Sequence, residues 1–142
     1  MAFATSAGRA PLTESRSTAL THDPIHQAYW ILRVGFIAAP IVAGMDKFFL
    51  LLVNWDKYVA PWAANALHGH VRGFMDAVGV IEIIAGVGVA LLPRVFAYVV
   101  AVWLLLIIIN LVSMSGYYDI ALRDLGLCLG ALALGRLSQV CR

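Results

Sequence analysis

Six polar side chains stand within otherwise apolar stretches of the chain: Asp46, Lys47, Asp76, Glu82, Asn110 and Arg123. These residue types can do two kinds of chemistry away from water. A carboxylate in a low-dielectric setting can have a raised pKa and exchange a proton with a bound quinone, or it can simply hydrogen-bond a ligand. A charge near the centre of a bilayer costs at least about 2.5 to 3.5 kcal/mol on insertion scales, so such groups are expected to face inward and pair, or to line a wet cavity. An ion-paired cluster that glues helices together and a ligand pocket are both open at this level. Three carboxylates with a lysine and an arginine exceed what simple gluing needs.

Other constellations offer less. His68-Gly69-His70 places two histidines in a loop without a third ligand at fixed spacing, and His22 and His26 flank the start of the first helix, so no metal site is assigned. No histidine falls inside an expected crossing, which argues against a haem held by opposed histidines. The two cysteines, Cys128 and Cys141, form no CxxC pair, so the chain has no cofactor ligands of its own and any redox centre must be borrowed. HExxH, GxSxG and phosphate-cradling glycine loops are all missing, and no self-contained catalytic motif is found. A net charge of +2 with no basic stripe excludes a nucleic-acid binder.

The elements that must position the six residues follow from composition. With 142 residues the chain is one domain, and 62% hydrophobic against 13% charged residues, with mean hydropathy +0.87, marks an integral membrane protein. Residues 1–24 read as a polar tail without the apolar run of a secretory signal. Asp23-Pro24 is a helix start, opening the first helix near Ile25, and Pro40 is expected to kink it. Apolar stretches at about Ala28 to Val53, Val71 to Leu92, Arg94 to Met114 and Tyr118 to Gly135 each approach the roughly 20 residues of a crossing. The expected fold is an all-α membrane protein, a four-transmembrane-helix antiparallel bundle over residues 25–137, with a short C-terminal tail at 138–142. Between the first two crossings, Trp55, Tyr58 and Trp62 give the loop an interfacial character, so it is expected to lie along the membrane surface and roof one end.

Helical phase places Asp76, Gly79, Glu82 and Gly86 on one face of the second crossing. It likewise aligns Asp119, Arg123, Gly126 and Gly130 on the fourth, where Gly126 and Gly130 form a GxxxG pair suited to close helix contact. The most economical pairing sets Glu82 or Asp76 against Arg123 or Lys47, with Asn110 and Asp46 as hydrogen-bonding support. Arg9, Arg16, Arg94, Arg136 and Arg142 fall on the side of the termini and the Pro93-Arg94 hairpin, which the positive-inside rule assigns to the cytoplasm.

With its charged positions in this order, the chain resembles the DoxX family of small bacterial membrane proteins. The matching pieces are Arg33-Val-Gly35 and Ala43-Gly44-Met45-Asp46-Lys47-Phe48, then Gly79-Val-Ile-Glu82-Ile-Ile-Ala-Gly86, then Leu122-Arg123-Asp124-Leu125, covering about residues 27 to 137. The resemblance implies a four-helix inner-membrane protein linked to quinone-dependent oxidoreductase systems. On that footing the chain is expected to bind a quinone or similar lipophilic molecule, or to dock on membrane oxidoreductase subunits, with lipid and a second copy of itself as further partners. Two rivals remain: a structural or assembly subunit without chemistry of its own, and a small transporter whose carboxylates line a path.

Overall fold

The computed structural model describes residues 23–141. Among them every regular element is helical: α1 (Pro24–Phe49), a 3₁₀ turn (Trp55–Tyr58), a short α2 (Pro61–Ala66), α3 (Val71–Leu91), α4 (Pro93–Val112) and α5 (Tyr118–Val140). The four long helices run antiparallel in sequence order. The closest packing joins α1 to α3 and α4 to α5, with lighter contact between α3 and α4 and between α1 and α5.

Helix boundaries have local causes. The Asp23 carboxylate accepts from the Ile25 amide at 3.0 Å and Pro24 occupies the first helical position, so α1 opens where the residue types place it. His26 lies in its first turn, where its Nε2 accepts from Trp30 Nε1 at 2.9 Å. The helix continues through Pro40. It ends at Phe49, four residues short of the expected Val53, because Leu50 turns left-handed (φ 53°) and its amide bonds back to the Asp46 carbonyl at 2.6 Å. Between α3 and α4 the chain turns within Leu92 and Pro93, whose ring has no amide to continue the first helix and fits the first turn of the second. Gly116, at φ 99°, makes the turn into α5.

Packing between helices uses small residues. The buried face of α5 is Ala121, Asp124, Cys128, Ala131, Leu134, Gly135 and Ser138, a heptad-like stripe of mostly small side chains against Ala97, Val100 and Ala101 of α4. Cys128 Sγ donates to the Ala101 carbonyl at 3.3 Å within that seam. On α3 the buried stripe is Met75, Gly79, Glu82, Gly86 and Val89. The outer surface is the reverse of a soluble protein's: Ile31, Leu91, Leu105 and Ile109 are exposed while Asp46, Lys47 and Glu82 are buried. Such an arrangement is stable where the surroundings are apolar.

Three helices, α1, α3 and α4, are long and apolar enough to cross a membrane. At 1.5 Å per residue α3 and α4 are each about 30 Å long, the thickness of the hydrocarbon core. Helix α5, at 23 residues, is as long, but it carries Asp119, Arg123 and Asp124 near its start and Arg136 towards its end.

Candidate functional site

The close approach of α1 and α3 positions the central charges. A methyl group on Gly44 would stand 2.6 Å from the Gly79 carbonyl oxygen, and one on Gly79 would stand 2.8 Å from that of Gly44. Only glycine at both positions lets the two backbones touch. Glu82 stands opposite Gly44 and Lys47 opposite Gly79, so in this antiparallel pair the two side chains reach across the glycine contact, and Lys47 Nζ meets Glu82 Oε2 at 2.6 Å with both side chains at least nine-tenths buried. Farther along the same seam, Gly86 lies against the Ile37 carbonyl and Ile41, and this extends the contact towards the opposite end.

Lys47 and its neighbour Asp46 are tied to the loop that follows α1. The ammonium of Lys47 sits 3.8 Å from the centroid of the Trp55 ring, a cation–π contact inside a buried site. The indole N–H of the same tryptophan donates to Asp46 Oδ2 at 2.7 Å. The other oxygen of Asp46, Oδ1, accepts from the amides of Leu51 and Leu52, both at 2.9 Å. These are amides that the sharp end of α1 would otherwise leave open, so Asp46 shapes the turn that brings Trp55 back over Lys47. Arg72 of α3 donates to the Lys47 carbonyl at 2.6 Å and pairs with Asp76 one turn on, at 3.1 Å. Asp46, Lys47, Trp55 and Glu82 thus form a closed quartet, with Arg72 joining it from the first turn of α3.

The roof is fastened by Asn110 near the end of α4. Its Oδ1 accepts from the Ala60 amide at 3.1 Å and its Nδ2 donates to the Tyr58 carbonyl at 2.6 Å, the two bonds a neighbouring strand would make. Val59 and Ala60 are buried beneath it, and Val59 packs with Met75 and Val78 of α3. Trp62 Nε1 donates to Ser113 Oγ at 3.1 Å, and Tyr58 stacks edge-on against Tyr117 with centroids 5.4 Å apart. The aromatic loop therefore covers the end of the bundle that holds the quartet.

Of the expected pairings, Lys47 with Glu82 forms. Asp46 joins them through Trp55, while Asp76, Asn110 and Arg123 lie apart from the pair. Asp76 is half-buried and occupied by Arg72 on its own helix. Asn110 holds backbone of the roof rather than a ligand or a charge. Arg123 is 70% exposed, bonded only to its neighbour Asp124 at 3.7 Å, because the inward face of α5 is the small-residue stripe and Arg123 sits outside it. The same phase leaves Gly126 with nothing within 4 Å of a Cβ, so it packs against no helix, while Gly130 lies against the Phe36 ring at 3.3 Å. Gly79 and Gly86 pack as expected.

Sequence reasoning missed three contributors: Gly44, Trp55 as the partner of Asp46, and Asp124, which is buried on α5. The signal for Gly44 was available as a second glycine placed to oppose Gly79. His68 and His70 spend their Nδ1 atoms on the carbonyls of Ala66 and Leu67, and among the described residues no three metal-ligating side chains gather. His22 lies outside the described residues.

At the opposite end, the α3–α4 hairpin meets the start of α1 and the end of α5. Arg33 NH2 donates to the Ala90 carbonyl at 2.6 Å and its NH1 to the Tyr29 hydroxyl at 3.1 Å, while Arg94 Nε donates to the Ser138 carbonyl at 2.8 Å. The two ends differ in charge. Arg33, Arg94 and Arg136 share the hairpin end with Asp23, whereas the roofed end carries Asp46, Asp56, Asp76, Glu82, Asp119 and Asp124 together with Lys47, Lys57, Arg72 and Arg123. Compared with known proteins, the chain matches no family model, no curated protein and no solved structure.

Proposed function

We propose that this chain is a four-crossing, DoxX-like subunit of a membrane oxidoreductase, contributing a rigid helical unit rather than chemistry at its own buried charges. The observation that carries this reading is the closure of the quartet. Lys47 is engaged by Glu82 and the Trp55 ring, and both oxygens of Asp46 are engaged by Trp55 and the loop amides. Side chains committed to one another in this way hold two helices and a roof in register. They are poorly placed to receive a proton from a ligand without breaking the fold.

In this reading α5 is the fourth crossing, its length matching that of its neighbours and its charges near the start and the end meeting the two interfaces. The basic hairpin end faces the cytoplasm of a bacterial inner membrane, and the acidic, roofed end faces outward. By sequence order Arg9, Arg16, Arg33, Arg94, Arg136 and Arg142 belong to the side of the termini, against Lys47, Lys57, Arg72 and Arg123 on the other, and this count supports that orientation. A quinone, where one is present, belongs to the assembled complex and not to the Lys47–Glu82 contact.

Native mass spectrometry of the protein extracted in mild detergent from its own membrane tests the proposal. A complex with an oxidoreductase subunit, retaining the same quinone content in Glu82→Gln that still assembles, is the expected result. A bare chain or homo-oligomer carrying only bulk phospholipid would overturn the subunit reading, and loss of quinone specifically in Glu82→Gln would return the chemistry to the quartet.

A further inference from the structure

The hairpin end encloses a second polar feature that the quartet and the roof do not use. A cavity of about 350 Å³ opens between the start of α1, the α3–α4 hairpin and the end of α5, with Arg33, Arg94 and Tyr29 on its wall and no carboxylate side chain among its lining residues. Both guanidinium groups are held in place by neutral acceptors, the carbonyls of Ala90 and Ser138 and the hydroxyl of Tyr29. Among the described residues neither arginine is ion-paired. Arg33 Nε is buried with no hydrogen-bond partner.

Two fixed cations in one concavity, without a counter-ion among the described residues, form an anion site, and a guanidinium matches the paired oxygens of a phosphate group. The wall also holds the first turn of α4, with Pro93 at its first position and no capping side chain, and the C-terminal ends of α3 and α5. The Ala90 and Ser138 carbonyls of those ends take one donor each from Arg33 and Arg94 and leave further N–H groups of both for a ligand. Leu91, Leu92 and Val95, which line the same cavity, are exposed and apolar and suit the start of acyl chains. We infer that this pocket binds the phosphate of an anionic phospholipid, the headgroup held between Arg33 and Arg94 and its chains lying against the hairpin. Neither charge of the site is part of the quartet, so the inference stands apart from the subunit reading.

The test uses the full chain in nanodiscs of phosphatidylcholine with a minor fraction of phosphatidylglycerol, followed by native mass spectrometry of the released protein and its retained lipid. Phosphatidylglycerol is expected to be retained in preference to phosphatidylcholine, with retention falling roughly fivefold for each of Arg33→Gln and Arg94→Gln. Arg136→Gln, which removes a charge from the same end but not from the cavity, is expected to leave retention unchanged. Displacement of the retained lipid by millimolar inorganic phosphate would support the phosphate chemistry but assign the site to a free anion. Equal retention of the two lipids by the unaltered chain would overturn the inference whether or not the variants fold. Equal losses in Arg136→Gln and Arg94→Gln would also overturn it, by reducing the preference to the general charge of that surface.

Discussion

Gly44 of α1 and Gly79 of α3 meet backbone to backbone, and the Lys47–Glu82 ion pair spans their contact, Lys47 standing opposite Gly79 and Glu82 opposite Gly44. The order of cause runs from the glycines to the charges. Without the close approach, an ammonium on a four-carbon stem and a carboxylate on a two-carbon stem would have to span a wider gap between helices. With it, both are drawn away from the surroundings and held 2.6 Å apart.

Substitution at this point of closest approach is expected to cost more the more tightly the two backbones press together. Gly44→Ala and Gly79→Ala each force a methyl group against a carbonyl, which costs about 1 to 3 kcal/mol in a well-packed interior. Gly126→Ala, with open space at its Cβ, is expected to leave stability unchanged or slightly improved. Thermal unfolding of the three variants in one detergent ranks them. Equal melting temperatures across the set would contradict the packing assigned to the α1–α3 seam.

Asn110 governs the roof separately from the quartet. Replacing it with Leu keeps the volume but leaves the Ala60 amide and the Tyr58 carbonyl without partners, at a cost of about 1 to 3 kcal/mol. Hydrogen exchange is expected to quicken across residues 54–70 while remaining slow through the middle of α3 and α4. An exchange pattern unchanged at Ala60 would mean that the roof is held by its aromatic contacts alone.

The two cysteines report orientation without any introduced label site. Cys141 is partly exposed at the hairpin end and Cys128 is buried in the α4–α5 seam. In intact spheroplasts a membrane-impermeant maleimide is expected to leave Cys141 unmodified, and permeabilisation is expected to expose it. Cys128 is expected to react only after denaturation. Labelling of Cys141 in sealed spheroplasts would reverse the orientation.

Much of this architecture was legible in the residues, and the parts that were not share a physical reason. Asp23-Pro24 at a helix start, the Pro93 hairpin and the Gly79, Glu82, Gly86 face each follow from local chemistry that no tertiary contact overrides. The face of α5 does not. In water the apolar side of a helix turns inward, but in lipid nearly any apolar residue is content outside, so hydropathy carries little phase information. Following the charges selected Arg123 and Gly126, while the buried stripe is marked instead by small side chains at Ala121, Cys128, Ala131 and Gly135. The early end of α1 was hidden for another reason. Apolar composition continues through Leu50, Leu51, Leu52 and Val53, and only the Asp46 carboxylate, bonding the amides of Leu51 and Leu52, shows where the helix stops.

The central claim, that Lys47 and Glu82 are committed to each other inside the α1–α3 seam, is tested most directly by a double-mutant cycle on the pair read as stability in detergent. Lys47→Met and Glu82→Leu are each expected to cost about 3 to 5 kcal/mol, since either leaves one charge buried without its partner. The double variant, which removes both charges and fills the seam with apolar atoms, is expected to recover most of that loss. Single variants as stable as the unaltered chain would contradict the claim, because a buried charge that can lose its partner without cost is not committed to it.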